Sequence, residues 1–361
     1  MRVLVCALLG AFLLTGCTAE TASPPTETPS QIAEATGFSS AGLDSLAAYL
    51  EEAGSSALVL RQGDRVVFSW GDVHRPHTVH SIRKALLNSL YGRYVAAGVL
   101  DTSATLAKLG INDQPPGLTP TERQARLADL LKSRSGVYLP AAAESAGMEA
   151  ARPARGRHSP GEAFYYNNWD FNVLGTVLEQ ATGQSLYTLF HREIAQPIGM
   201  QTYAGRFDTL VVTPTDTALA VPDADGFYQL EPERSPYPAY HFRLSAYDLA
   251  LYGQLYLNGG TWDGQEVVPE SWIEASTTAY STTNPRIDSG YGMLWYVLRA
   301  NEERATKSFY HTGTGIHMLG VYPGSDLVFV HRVDTEQPTD FTPDRLYRII
   351  DLVFGARSTD A

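Results

Sequence analysis

The sequence predicts a mixed α/β (α+β) fold, in which an antiparallel sheet is flanked by N- and C-terminal helices and carries a mostly helical inserted lobe. Strand-like runs occur towards both ends of the folded part, at residues 57–61, 66–70 and 327–333, whereas apolar residues of 81–256 recur mostly at helical spacing. With 361 residues, 44% of them hydrophobic, the chain can form one large domain or two smaller ones, and disorder over its whole length is excluded. One sheet assembled from distant segments is therefore expected.

The folded part is expected to begin with a helix and a hairpin. An apolar stripe at i, i+3, i+4 and i+7 occupies 43–50, and Ser39 or Ser40 can cap this helix. Two strands at 57–61 and 66–70 then follow each other across a short polar turn that contains glycine.

Strand patterns return in the last quarter of the chain, which closes with a helix. The Asp263-Gly264 pair predicts a hairpin, since it supplies the positive φ angles that such turns need. A final helix is expected from Thr342 to Gly355, because Pro343 suits a first turn and glycine a helix end. The other strands are expected at 292–298, 308–311, 318–323 and 327–333.

These elements predict one folded domain, 37–358, with two lobes. The sheet lobe is expected at about 37–80 and 285–358, and the helical lobe at about 81–284. A cleft between two lobes is a common place for a small-molecule site.

The first 36 residues have the pattern of an export signal followed by a tether. A short basic start precedes an apolar run at 3–14, which is too short to span a bilayer as a helix. Leu-Thr-Gly-Cys, ending at Cys17, resembles the bacterial lipoprotein box, which implies cleavage after residue 16 and a diacylglyceryl group on the Cys17 sulfur. An ordinary signal peptide is the alternative.

Residues 17–36 are rich in Pro, Thr, Ser and Glu and predict a disordered tether. We therefore expect an exported protein that is lipid-anchored to the cell envelope, on the periplasmic side of the membrane or at the cell surface.

Charge and cysteine content exclude several classes of function. The net charge of −12 argues against a nucleic-acid partner. Cys6 and Cys17 are the only two cysteines, so the folded part has no disulfide framework, cysteine zinc site or cysteine nucleophile. His74, His77 and His80 lie three apart, but Pro76 interrupts any helix there and no carboxylate follows in a ligand pattern, so no metal site is expected.

Ser81 and Lys84 form the first candidate for chemistry. On a helix, residues three apart lie on one face, so the Lys84 amine can reach the Ser81 hydroxyl. A serine hydroxyl becomes a good nucleophile when a neighbouring base takes its proton, and a buried lysine with a lowered pKa can be that base. The chain has only four lysines, which makes a chance match less frequent.

Two further motifs follow in order. Tyr166-Asn167-Asn168 precedes an apolar helix, and His311-Thr312-Gly313 lies between two strands. Together the three motifs resemble those of the serine β-lactamase and penicillin-binding protein family, in its class C branch with DD-peptidases, D-aminopeptidases and related esterases. The resemblance extends over about residues 38–358. The register Tyr165-Tyr166-Asn167 is disfavoured because Phe171 and Gly175 then lie one place off the family pattern.

The resemblance implies a role for each motif residue and needs no metal or cofactor. Ser81 would be the acyl-forming nucleophile, Lys84 its activator, and Tyr166 the group that exchanges protons with the lysine. The substrate would be bound by Asn168, His311, Thr312, Gly313 and Thr314, with the N–H groups of Ser81 and Thr314 forming the oxyanion hole. Gly313 is expected to leave room for the substrate to approach the strand.

Two residues depart from the β-lactamase pattern. His311 stands where β-lactamases carry lysine, and histidine is charged only part of the time near pH 7, which places β-lactam hydrolysis in doubt. Arg83 is uncommon between the serine and the lysine, and a surface ion pair is the one role that the sequence suggests for it.

The predicted function is that of a serine hydrolase that acts on an amide or ester, of DD-peptidase, D-aminopeptidase, esterase or β-lactamase type. The alternative is a catalytically silent penicillin-binding-like lipoprotein that binds cell-wall peptide or a partner. A small-molecule or peptide substrate and the membrane are the expected partners. Loops at about 141–157 and 205–240 are expected to set specificity, while the substrate and the oligomeric state stay open.

Overall fold

The computed structural model describes residues 31–32, 35–213, 215–216, 219–302 and 304–357. The predicted signal, the Cys17 anchor and most of the predicted tether lie outside these residues. No helix in the described ranges is long and apolar enough to cross a membrane. The α-helices are α1 (Ser40–Ala53), α2 (Arg83–Ala96), α3 (Leu127–Leu131), α4 (Ala146–Ala151), α5 (Asn168–Thr182), α6 (Leu186–Phe190), α7 (Ala246–Leu257), α8 (Glu270–Ser276) and α9 (Pro343–Gly355).

An eight-stranded sheet joins the two ends of the chain. Its order is β2-β1-β14-β13-β12-β11-β10-β9 and each of its strand pairs is antiparallel, so the predicted fold class is confirmed. The strands of this sheet are β1 (Ala57–Gln62), β2 (Arg65–Gly71), β9 (Ser281–Asn284), β10 (Ser289–Tyr291), β11 (Tyr296–Leu298), β12 (Ser308–Gly313), β13 (His317–Tyr322) and β14 (Leu327–Arg332).

Helices α1 and α9 cover the outer face of this sheet. Ser39 caps α1 by accepting a hydrogen bond from the Gly42 N–H, and Gly54 ends it in the left-handed conformation at φ 73°. Leu46 and Ile349 are fully buried in the apolar cluster that the two helices share with the sheet. Both predicted helices are therefore present, and the apolar stripe of each is directed at the sheet.

The inner face of the sheet packs against the central lobe. Helix α2 is buried on all sides at its first ten residues, which explains its lack of an amphipathic pattern. This large core contains Leu86 and Leu90 of α2, Leu174 of α5 and Val330 of β14. The start of α2 is thereby fixed between the two lobes.

The central lobe is less helical than expected. It contains a second sheet, in the order β3-β6-β5-β4. In β6 five of six residues are buried, and a strand covered on both faces shows no alternation by which the sequence could distinguish it from a buried helix. The strands are β3 (His77–Thr78), β4 (Phe207–Val211), β5 (Gly226–Leu230) and β6 (Ala239–Leu244), and a two-stranded hairpin, β7 (Thr261–Trp262) and β8 (Gln265–Glu266), forms at the predicted Asp-Gly turn.

The strand expected at 292–298 is in fact a turn followed by a strand. Gly292 donates to the Trp295 carbonyl oxygen, and Leu294 has a positive φ of 64°. Only Tyr296–Leu298 continues as a strand. The run of apolar residues is continuous in sequence, but its backbone reverses direction.

Arg332, at the end of β14, connects both sheets to the segment before Ser81. Its guanidinium donates to the carbonyl oxygens of Leu244 (2.6 Å), His77 (2.9 Å) and Thr78 (3.2 Å) and to His317 Nδ1 (3.1 Å). The side chain is fully buried. One buried side chain thus connects β3, the end of β6 and the start of β13 to the end of β14.

We expect Arg332→Met to lower the free energy of unfolding by about 3 kcal/mol or more, because it removes four buried hydrogen bonds of a charged group, each worth about 1.5–3 kcal/mol. Urea unfolding at pH 7 measures this, with Arg348→Met, which replaces an exposed arginine of α9, as the matched control. A loss below about 1 kcal/mol would contradict the role assigned to Arg332.

Candidate active site

Ser81 lies in a short 3-10 turn, His80–Ile82, directly before α2. The Lys84 Nζ donates a hydrogen bond to the Ser81 Oγ at 2.9 Å, as the three-residue spacing predicts. His80 has a positive φ of 48°, a conformation that costs a non-glycine residue energy and is frequent at functional sites. The backbone is therefore sharply turned immediately before the candidate nucleophile.

The Lys84 amine is fully buried. Burial lowers its pKa well below the usual value, and the adjacent positive charge of Arg83 lowers it further. The Nζ lies 4.6 Å from the ring centre of Tyr166 and 4.8 Å from that of Phe171. Both effects favour the neutral amine, which is the form that can accept the proton of Ser81.

Tyr166 lies over the same lysine and interacts with the Ser81 side chain. Burial raises the pKa of its hydroxyl, while the interaction with Ser81 opposes that rise. Tyr165, by contrast, donates its hydroxyl hydrogen to the Met148 carbonyl oxygen. The structure thus brings Tyr166, and not Tyr165, to Ser81 and Lys84.

The two asparagines after Tyr166 have different surroundings. The Asn167 side chain caps α5 by accepting from the Trp169 N–H. Asn168 donates from Nδ2 to the Ala143 carbonyl oxygen at 2.5 Å, and its buried Oδ1 has no hydrogen-bond partner in the described part of the chain. This bond joins the loop at 141–157 to the site, and the free Oδ1 is an acceptor available to a substrate.

Strand β12 leaves a backbone edge open beside Ser81. Strand β11 pairs only with Ser308–Tyr310 of β12, whereas β13 pairs with it as far as Gly313. Among the described residues, the N–H groups of Ser81 and Thr314 donate no hydrogen bond to a protein acceptor. Both donors are therefore available for an oxyanion, as the resemblance implies.

His311 is fully buried and faces Tyr166 and Tyr296. Burial lowers its pKa to about 3, and the nearby Lys84 contributes to the shift. Its Nδ1 is 2.9 Å from the Thr312 carbonyl oxygen and Nε2 has no partner among the described residues. The partial charge expected for His311 at pH 7 is therefore absent, and the ring is a neutral acceptor at Nε2.

Gly313 is required by packing against the segment before Ser81. A Cβ at this position would lie 2.6 Å from the Val79 carbonyl oxygen and 3.2 Å from the His80 Cβ. The sequence interpretation, which assigned the glycine to substrate access, misses this contact. Strand β12 and the nucleophile turn can approach each other this closely only because residue 313 has no side chain.

We expect Gly313→Ala to reduce kcat/KM about tenfold, because the new Cβ displaces the turn that carries Ser81 and small displacements of a nucleophile are costly. Steady-state kinetics measure the effect. Gly355→Ala, at a glycine with no atom within 4 Å of its added Cβ, should behave as the parent protein. Equal rates for both variants would contradict the proposed contact.

Arg83 does not form the surface ion pair that the sequence suggests. Its side chain is buried, lies 4.4 Å from the ring centre of Tyr240 and donates to the Asn172 Oδ1 at 3.2 Å. No described carboxylate forms an ion pair with it. After burial, this positive charge beside Lys84 is the second cause that lowers the pKa of the lysine.

We expect Arg83→Met to raise the pKa of Lys84 and to move the acidic limb of the kcat/KM profile up by about one pH unit. Arg83→Lys keeps a positive charge and should keep the parent profile. The pH dependence of ester hydrolysis in both variants provides the measurement. If Arg83 were only structural, Arg83→Met would lower kcat/KM at each pH and leave the acidic limb at its parent pH.

The histidines before Ser81 do not converge on one site. His74 contacts the Tyr247 ring and His80 the His317 ring. His77 lies near Asp334 and Glu336, with possible ligand atoms within 4.8 Å of one another. Two separate pairings compete with any cation: Asp334 pairs with Arg75 and Glu336 with Arg243. The group is an ion-pair network.

Comparisons with known proteins agree with this geometry. The Beta-lactamase family model matches residues 43–354. The fold is similar to a putative 6-aminohexanoate-dimer hydrolase from Bacillus anthracis (18% identity, 85% of this chain and 80% of that chain covered, TM-score 0.61). It is also similar to a penicillin-binding protein from Bacillus halodurans (18%, 85% and 99%, 0.62) and an octameric penicillin-binding protein homologue from Pyrococcus abyssi (19%, 89% and 78%, 0.60). No curated protein sequence matches significantly.

Proposed function

Because the chain belongs to the Beta-lactamase family, whose members are generally serine hydrolases, we propose that it uses Ser81 as a nucleophile to hydrolyse an amide or an ester. The observation that carries the proposal is the 2.9 Å contact between the Ser81 Oγ and the amine of a fully buried Lys84. The contact pairs a hydroxyl with an amine whose pKa burial lowers, which favours its neutral, basic form.

In the acylation step, the Ser81 Oγ attacks the substrate carbonyl carbon while its proton moves to the Lys84 Nζ. The oxyanion that forms accepts hydrogen bonds from the N–H groups of Ser81 and Thr314. Tyr166 relays the proton from Lys84 to the leaving nitrogen or oxygen. The carbon bond to the leaving group then breaks, and an ester on Ser81 remains.

In the deacylation step, a water molecule attacks the ester carbonyl carbon and gives a proton to the pair formed by Tyr166 and Lys84. The bond to Ser81 breaks, its Oγ takes a proton back, and the acid product leaves. One water is consumed for each bond that is cleaved. The first of these transfers, from the Ser81 Oγ to the Lys84 Nζ, is between two atoms that the structure places 2.9 Å apart.

Labelling of Ser81 tests the proposal. Purified protein is incubated with a fluorophosphonate or a labelled penicillin and the adduct is mapped by mass spectrometry. We expect an adduct on Ser81, none in Ser81→Ala, and normal labelling in Ser45→Ala, which replaces an exposed serine of α1. Absence of the adduct from the parent protein would overturn the proposal and favour the silent binding protein.

The substrate type is tested with a panel of p-nitrophenyl esters, D-amino-acid amides, muropeptides and nitrocefin. We propose a peptidase or esterase activity, since the neutral His311 offers no fixed positive charge to a substrate carboxylate. Preference for nitrocefin over esters and amides would contradict this choice.

We also propose that the protein is exported and lipid-anchored through Cys17. The pattern of residues 1–17 supports this. Metabolic labelling with an alkyne fatty acid should modify the parent protein and not Cys17→Ala. Release of unmodified parent protein into the soluble fraction would contradict the anchor.

A further inference from the structure

An open cavity of about 470 Å³ lies between the outer face of the main sheet and α9. We call it the α9 cavity. Tyr310 and Thr312 of β12 line it, while the alternate residues Phe309 and His311 are buried on the other face of the strand. The volume lies within the range of small-molecule pockets.

The lining of the α9 cavity is uncharged. Its walls come from strands β11 to β13, the turn before β10, and α9, and no described lining residue is acidic, basic or a histidine. The polar side chains are three tyrosines and Thr312. The aliphatic and phenyl side chains that dominate the walls include Leu298, Met318, Leu346, Ile350 and Phe354. Such a surface favours an alkyl or aryl group over a charged one.

The cavity adjoins the candidate active site at the end of β12. Thr312 and Gly313 of the third motif line it. Strand β11 pairs with β12 only as far as Tyr310, so the edge of β12 at 311–313 is open beside Ser81. A substrate that lies along this edge can place its carbonyl carbon at Ser81 and another of its groups in the cavity.

The other end of the cavity is open to solvent through apolar side chains. Ile287 and Tyr347 line it and are 49% and 62% exposed. Large apolar side chains with this exposure at the rim of an apolar cavity are typical of a ligand entrance.

We propose that the α9 cavity binds the uncharged alkyl or aryl part of the ester or amide whose carbonyl Ser81 attacks. The inference rests on the proposed function and makes it more specific, since it names the substrate class as neutral and apolar. The occupant follows from the shared Thr312 and Gly313 and from the uncharged lining. A substrate with a carboxylate at this end would lose its hydration without gaining an ion pair.

Chain-length dependence tests the proposal. Two series of neutral esters are used, one lengthened in the acyl group and one in the alcohol. For the parent protein we expect kcat/KM to rise about fourfold with each methylene buried in one of the series, and to fall at least tenfold when a carboxylate ends the chain. A flat dependence in both series would overturn the proposal.

A variant that fills the α9 cavity is compared with a matched variant on the surface of α9. Ile350→Trp adds bulk inside the cavity, whereas Arg348→Trp adds the same side chain at an exposed position two residues earlier on α9. We expect Ile350→Trp to abolish the rise of kcat/KM from acetate to long esters. Arg348→Trp should keep that rise. An unchanged ratio of long-ester to acetate kcat/KM in Ile350→Trp, with the urea midpoint of the parent protein, would contradict the inference.

Binding without turnover separates this inference from the proposed function. In Ser81→Ala, the neutral apolar dye Nile red should bind and be displaced by the long ester, and Ile350→Trp should weaken dye binding at least tenfold. If the parent hydrolyses no ester but this binding holds, the proposed function fails while the cavity remains a site for apolar ligands. If Ile350→Trp leaves dye binding intact, or instead changes the oligomeric state, the cavity inference is wrong.

Discussion

Replacing Lys84 with methionine is expected to lower kcat at least about 10³-fold while KM and the fold change little, because the methionine cannot take the proton of Ser81. The two side chains are similar in length, and burial already favours the neutral form of the lysine. The loss should therefore appear in the acylation rate with p-nitrophenyl esters, measured as the burst phase, and not in the urea midpoint.

Two variants distinguish a base from a structural side chain. Lys84→Arg keeps a hydrogen-bond donor but cannot release its proton near pH 7, so it should be as inactive as Lys84→Met. Lys108→Met removes an exposed lysine paired with Asp101 and should be fully active. Activity of Lys84→Arg within tenfold of the parent would show that Lys84 does not act as the base.

Contacts between residues close in sequence could be predicted from the sequence pattern, whereas contacts between distant residues could not. Ser81 and Lys84 are three residues apart, so helical geometry alone predicts their contact. The proximity of Tyr166 and His311 to Lys84 came from the resemblance. These two residues lie 82 and 227 positions after Lys84 in the chain, and no local spacing predicts that they meet it. The sheet between the chain ends was predictable because its strands are short apolar runs bounded by turn residues.

The features that were missed depend on tertiary contacts. Arg83 was expected at the surface because arginine is seldom buried, yet Tyr240 and Asn172, which lie far along the chain, provide its surroundings. The reason for Gly313 is likewise a neighbour, the Val79 carbonyl oxygen. The positive φ of His80 has no sequence signal, since histidine tolerates it without requiring it.

The site and the stability of the fold are linked through buried basic groups. Lys84, Arg83 and Arg332 are all nearly or fully buried in the described chain, and moving such groups out of water is costly. That cost lowers the pKa of Lys84 and favours its neutral, reactive form. It is offset by the apolar core around α2 and by the carbonyl groups that Arg332 satisfies.

Acidification below pH 6.5 is expected to destabilise the protein strongly, because several buried histidines are neutral in the fold. Burial lowers the pKa of His80 and of His331 to about 4, and that of His311 to about 3. The unfolded chain binds these protons near pH 6.5, whereas the folded chain does not until pH 4 or below. The stability that the fold has with these histidines neutral is therefore fully present above pH 6.5. It is lost as the pH falls towards 4, because the unfolded chain gains protons that the folded chain does not.

The charged groups around His80 add to the effect of burial and, on balance, lower its pKa further. Arg332, Arg83 and Lys84 disfavour its protonation, and Glu336 opposes them only in part. Glu336 itself has a pKa lowered to about 2, chiefly through hydrogen bonds from Arg243 and Thr78 that outweigh its burial. Its contribution is lost below about pH 4.5, so it adds to acid unfolding and does not counteract it.

The size of the effect follows from about 1.4 kcal/mol for each pKa unit, which gives about 3 kcal/mol for His80 or His331 when fully expressed. With His311 the sum is of order 10 kcal/mol, comparable with the whole stability of a typical domain.

We expect the free energy of unfolding, measured in urea, to decline steadily between pH 6.5 and 4 and to reach zero within that interval. His331→Gln, which removes one buried titrating ring bonded to Ser55, should reduce the slope by about one proton, whereas His74→Gln at an exposed site should not. A free energy that stays constant from pH 7 to 5 would show that these histidines are protonated in the fold, and the neutral state assigned to His311 would be wrong with it.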